Sequence, residues 1–92
     1  MVKDDLKIGT KLSLKENTKF FKAYEFLGTE FKKGSIFTIY SDEPIRREIF
    51  YTTWFFFTKS EYVKMADYKL EINSMLFEAK FEDIEKNFEI VK

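Results

Sequence analysis

Apolar and polar residues alternate from Leu6, where Leu6, Ile8, Leu12 and Leu14 are interleaved with Lys7, Lys11, Ser13 and Lys15. A period of two predicts a half-buried first strand over residues 6–15, with a bend or bulge at Gly9. Glu16-Asn17-Thr18 is a polar turn. Residues 19–31 fit two templates. Phe20, Tyr24 and Leu27 have helical spacing, while Phe20, Lys22, Tyr24 and Phe26 fit a strand face less well. The aromatic content favours strand, so an irregular hairpin arm folded back on the core is expected, with a short helix as the alternative. Lys32-Lys33-Gly34 then turns the chain, and Gly34 is expected at positive φ, where a side chain costs about 1 kcal/mol. The turn feeds a strand over residues 35–41. Phe37 and Ile39 share one face and Ile36, Thr38 and Tyr40 the other, which predicts a central strand partly covered on both sides.

Asp42-Glu43-Pro44 ends that strand, because Pro44 lacks the N–H a ladder needs. Residues 45–48 are expected to complete a charged loop. Residues 49–58, IFYTTWFFFT, form the most apolar stretch and predict one strand with rings on both faces. Phe50, Thr52, Trp54 and Phe56 fall on one face, and Tyr51, Thr53, Phe55 and Phe57 on the other. Thr58-x-x-Glu61 has the form of a capping box. It predicts a short helix over residues 58–66 with Tyr62, Met65 and Ala66 on one side, ended by Asp67. Tyr68, Leu70 and Ile72 resume alternation. At Asn73-Ser74 the phase slips to Met75, Phe77 and Ala79, as a two-residue turn or a bulge requires. Residues 81–87, FEDIEKN, suit a helical turn with acids at its positive end and a Glu82–Lys86 pair. A final strand from Phe88 to Val91 follows, and a single helix to the end is the competing pattern.

Composition narrows what this frame can do. Ninety-two residues make one domain, read as a flexible N-terminus at 1–5 and a single small domain at 6–92. Twelve Phe, five Tyr and one Trp supply a large apolar area from few residues. The absence of Cys and His removes disulfides, thiolate nucleophiles, the commonest acid–base group and the commonest metal ligand. Gly9, Gly28 and Gly34 are too far apart for a phosphate-binding glycine loop. No cofactor and no metal site are expected. Carboxylates alone can run glycoside hydrolysis, which leaves an enzyme as the weakest of three functional readings. The acidic residues Glu78, Glu82, Asp83, Glu85 and Glu89 are read as a solvated face in preference to an oxygen-ligand cation site. No secretory leader and no apolar run near the twenty residues of a membrane span are visible, so a cytoplasmic, non-membrane protein is expected. The charges cancel overall, yet residues 1–47 carry ten cations against seven acids and residues 48–92 carry six against nine. That disfavours a strongly basic nucleic-acid binder and leaves a two-faced surface.

The succession of strand, irregular hairpin, strand, loop, strands, helical turn and closing strand resembles the small SH3-like β-barrels. FKKGSIFTIY (31–40) is similar to the lysine-glycine turn that feeds a core strand there, and FEDIEKNFEIV (81–91) to the one-turn helix before the closing strand. The Lys-, Ile- and Phe-rich character is similar to short uncharacterised proteins of low-GC bacteria and their phages. The expected helix at 58–66 is extra to that family, and the pattern of a polyproline-binding groove is not recognisable. The resemblance implies a mostly-β fold with minor α, a small SH3-like barrel of about five strands and one or two helical turns, and a binding role. The leading functional expectation is a non-enzymatic protein-interaction module, a phage or mobile-element factor that binds and modulates a host protein. Tyr51, Phe55 and Phe57 would act as anchors beside Arg46 and Arg47, against a protein partner or a second copy. The alternative is a small barrel that binds single-stranded nucleic acid, with Lys19, Phe21, Lys22, Lys32 and Lys33 giving stacking and phosphate contacts.

Overall fold

Alternating side chains bury one face of a strand only if a second layer covers it, and this chain covers its main sheet with phenylalanine. The computed structural model describes residues 1–21, 27–52 and 58–92. Its strands are β1 (Lys11–Leu14), β2 (Thr18–Phe20), β3 (Thr29–Phe31), β4 (Ile36–Ser41), β5 (Ile45–Thr52), β6 (Thr58–Ala66), β7 (Tyr68–Ile72), β8 (Met75–Ala79) and β9 (Phe88–Ile90). A 3-10 turn at Lys3–Asp5 precedes them, and the helix α1 (Phe81–Asn87) lies between β8 and β9. The fold is mostly β with one short helix, as the alternation predicts.

Five strands form one antiparallel sheet in the order β8-β7-β4-β1-β9. The pairs β2–β3 and β5–β6 are separate two-stranded sheets. Among the described residues the edges β8 and β9 are not joined, so the sheets do not close into a barrel. The core lies on one face of the main sheet. Leu12, Leu14, Phe37, Ile39, Leu70, Phe77, Ile84 and Phe88 are fully buried. The ring of Phe20, from β2, packs on this layer with centroids 5.2 Å from Phe37, 5.8 Å from Phe77 and 5.9 Å from Phe88. Phe31 of β3 meets Phe37 edge-on at 5.1 Å. The hairpin arm thus folds Phe20 and Phe31 onto the core, as expected of its aromatics, but leaves Phe21 exposed, and residues 22–26 lie outside the described residues.

Several expected elements also fall where the pattern puts them. Gly34 has φ +88. Asn73 and Ser74 both have positive φ, 51 and 64, joining β7 to β8 in a two-residue hairpin of the kind whose twist suits the flanking strands. Of the two patterns for the C-terminal stretch, helix then strand is the one adopted: α1 buries Ile84 and β9 buries Phe88.

Five expectations are corrected. The first strand covers only Lys11–Leu14. Gly9 takes φ +91, and the Thr10 N–H donates to the Lys7 carbonyl, so the chain turns there and leaves Ile8 exposed while Leu6 is buried. The β4 strand is central in the sheet but is covered on one face, since Ile36 and Tyr40 are exposed. Residues 45–48 are strand rather than loop, because Ile45, Arg47 and Ile49 alternate half-buried with exposed neighbours. Residues 58–66 are strand β6 rather than a capped helix. Eight cross-strand partners from Ile45↔Ala66 to Thr52↔Thr58 outweigh a capping box worth about 1 kcal/mol. Thr52 of β5 faces Thr58 of β6, so these residues belong to two paired strands and not to the single strand expected over residues 49–58. Trp54, Phe55, Phe56 and Phe57 lie outside the described residues.

The strands β5 and β6 pack chiefly against each other and little against the main sheet. The radius of gyration is 15.6 Å and the longest dimension 54 Å, whereas a compact chain of this length has a radius of about 12 Å.

Candidate protein-interaction surface

Register decides which hairpin side chains share a face. Arg46, Glu48, Phe50 and Thr52 of β5 stand opposite Lys64, Tyr62, Ser60 and Thr58 of β6. Arg47, Ile49 and Tyr51 stand opposite Val63, Glu61 and Lys59 on the other face. Phe50 and Tyr62 are therefore diagonal neighbours on the first face, within reach of each other. They are 65% and 69% exposed, and Tyr51, on the second face, is 45% exposed. Only Ala66, at the end of β6, is buried among the described hairpin residues.

Two polar contacts moor the base. The Arg47 guanidinium makes a two-pronged ion pair with the Glu78 carboxylate on β8, its Nη1 donating to Oε2 at 2.8 Å. The geometry is the fork that suits carboxylate. Both side chains are partly exposed, so the pair contributes about 0.5–1 kcal/mol. Lys64 Nζ lies 2.9 Å from Asp67 Oδ1, and Asp67 Oδ2 accepts the Phe81 N–H at 2.9 Å. Asp67 thus satisfies a free N–H at the start of α1 from fourteen residues away, the work an N-cap side chain does locally.

Both carboxyls are held below the usual carboxylate range, Glu78 first by its bond from Arg47, and Asp67 first by Lys64 and then by the Phe81 N–H. A carboxyl depressed in the folded state contributes stability that is present above its unfolded pKa and lost as pH falls through the folded one. Asp67→Asn is therefore expected to lower stability at neutral pH by about 1 kcal/mol and to shrink the loss that wild type suffers on acidification. Urea midpoints measured from neutral pH into the acid range would show it. Parallel curves for the two proteins would contradict the assignment.

The candidate anchors named from sequence separate. Tyr51 and Arg46 are exposed on opposite faces of the hairpin, and Arg47 fastens the hairpin to β8. Phe55 and Phe57 lie outside the described residues. Phe50 and Tyr62 are additions, because the sequence pattern gave Phe50 to the face of Trp54 and gave Tyr62 to the side of a helix. The signal for them was the run of strand-favouring Thr58, Tyr62 and Val63 beyond the aromatics. Of the nucleic-acid candidates, Lys19 stands opposite Glu30 across β2–β3, and Phe21 is exposed beyond the end of β2. Lys32 and Lys33 are exposed at the turn before Gly34, where the Lys33 N–H donates to Asn17 Oδ1. Lys22 lies outside the described residues.

Among the described residues no group of three or more Asp, Glu, Cys or His is placed to hold a metal ion, and no helix is long and apolar enough to cross a membrane. A shallow depression lined by Tyr40, Glu71, Ser74 and Leu76 lies on the outer face of the main sheet. No protein-family model matches the chain, and no curated protein or solved structure matches it.

Proposed function

We propose that the chain is a non-enzymatic protein-interaction module whose binding element is the β5–β6 hairpin. The supporting observation is the pair of large exposed rings, Phe50 and Tyr62, set side by side on a ribbon that stands clear of the core. Aromatic anchors of this kind carry most of the energy of protein interfaces when a partner desolvates them. Charged neighbours, Arg46, Glu48 and Lys64 on the same face, supply the polar rim and the register. The strand order, with a long arm between β1 and β4 and a helix before β9, fits the SH3-like resemblance. The Lys-, Ile- and Phe-rich character, similar to that of short proteins of low-GC bacteria and their phages, makes a host protein met in the cytoplasm, bound and modulated by a phage or mobile-element factor, the expected target.

The test is affinity capture from lysate with wild type and with Phe50→Ser/Tyr62→Ser, both checked for folding by circular dichroism. A protein retained by wild type should be lost at least about tenfold in the double variant, as expected when two hot-spot rings go. Identical retained sets from both would sink the assignment to this face. Binding that collapses between low and moderate salt and is competed by single-stranded DNA would replace it with the nucleic-acid alternative.

A further inference from the structure

A two-stranded ribbon is marginally stable in water without a third strand or a cover, and among the described residues neither outer edge of the β5–β6 hairpin is paired. We propose that a second copy of the chain supplies the missing strand, β6 pairing edge to edge and antiparallel with β6 of the other copy about a twofold axis at Ser60. The proposal rests on the hairpin being the binding element and adds a second copy of the chain as the partner of its outer edge.

Symmetry makes the possible registers few. When identical strands pair antiparallel about a twofold axis, the axis passes through one residue, and residues equally far on either side of it face each other on the same face. With the axis at Ser60, Lys59 of each copy faces Glu61 of the other, and Thr58 faces Tyr62. That gives two opposite-charge pairs and no like-charge contact. With the axis at Glu61 the acid meets itself. At Tyr62, Glu61 faces Val63 and Lys64 faces Ser60, and no ion pair forms. On the β5 edge, an axis at Arg46, Arg47 or Glu48 sets a charge against its own copy, and an axis at Ile49 pairs Glu48 with Phe50 and Arg47 with Tyr51. Ser60 is thus the centre that satisfies the charges.

The hairpin itself leaves those charges open. Within the chain the cross-strand neighbours of Lys59 and Glu61 are Tyr51 and Ile49. Neither charge joins the ion pairs seen among the described residues, Arg47–Glu78 and Lys64–Asp67. Opposite charges directly across a strand pair stabilise it and like charges destabilise it. Pairing would also bring Thr58 of one copy against the exposed Tyr62 ring of the other. The seam is short, well below the roughly 1,200 Å² of standard interfaces, so the dimer is weak and concentration-dependent.

Light scattering and sedimentation over a concentration series into the millimolar range test it. Wild type should pass from one chain mass to two. Lys59→Glu, which sets acids across both pairs, should weaken the dimer about tenfold or more. The swap Lys59→Glu/Glu61→Lys, which restores both pairs in reverse, should recover wild-type association. A single-chain mass throughout overturns the proposal, and so does a dimer indifferent to Lys59→Glu or unrescued by the swap. A strictly monomeric protein that still captures a foreign partner, and loses it in Phe50→Ser/Tyr62→Ser, removes the second copy while leaving the hairpin as the binding element. A dimer with no Phe50- or Tyr62-dependent capture leaves self-association as the hairpin's role.

Discussion

Phe37→Ala is expected to lower the unfolding free energy by about 3–5 kcal/mol, the cost of emptying a phenylalanine site in a packed core. Phe37 lies on β4, the middle strand of the main sheet, and is completely buried. Its ring meets Phe20, Phe31, Phe77 and Phe88, with centroids between 5.1 and 6.3 Å away. The contacts with Phe31 and Phe88 are edge-to-face, at 74° and 73°, an arrangement that adds about 0.5–1.5 kcal/mol per pair beyond the buried area. Four neighbouring rings cannot close the space without leaving their own rotamers, so the cavity persists. A domain of this length has only about 5–14 kcal/mol in hand, and the variant would spend much of it. Phe20→Ala removes a ring that is only half-buried and should cost less, about 2 kcal/mol. Urea midpoints at unchanged slope measure both. A loss under about 1 kcal/mol for Phe37→Ala would mean that these rings do not form the core described.

The residues that could be placed from sequence are those whose pattern has one explanation. Phe37 and Ile39 share a strand face, Gly34 needs a positive φ, and the phase slip at Asn73-Ser74 calls for a turn or a bulge, of which the turn is the one formed. The helix over Phe81–Asn87 holds too, because acids at its start and Ile84 one turn after Phe81 agree with each other. The failures have one physical origin, which is that long-range pairing has no local signature. Residues 58–66 carry a real local helix signal, yet all of them but Met65, which sits at a register shift, find partners in β5. The same pairing turns the charged run at 45–48 into strand, with Arg47 held by Glu78 thirty-one residues away. The proposed interaction surface is half legible for this reason. Tyr51 and Arg46 could be singled out by type, but the face shared by Phe50 and Tyr62 exists only once β5 and β6 are set in register.

Removing the hairpin should separate binding from folding. Arg46 and Lys64 are cross-strand partners, so residues 47–63 can be replaced by Asn-Gly, the two-residue turn that suits such a junction. None of the described residues removed is fully buried. The variant loses the Arg47–Glu78 pair, about 0.5–1 kcal/mol at a partly exposed site, and gains a shorter connection that costs less entropy to close. Its urea midpoint should therefore correspond to within about 1 kcal/mol of wild type. Its radius of gyration by X-ray scattering should fall from 15.6 Å to about 11–12 Å, the value for a compact chain of the remaining length. Capture of a partner, and association of the chain with itself, should both vanish. A variant that fails to fold would mean that the hairpin is part of the core after all. A folded variant that still binds would move the surface to the other end of the chain's chemistry, the exposed Lys19, Phe21, Lys32 and Lys33 around the β2–β3 arm.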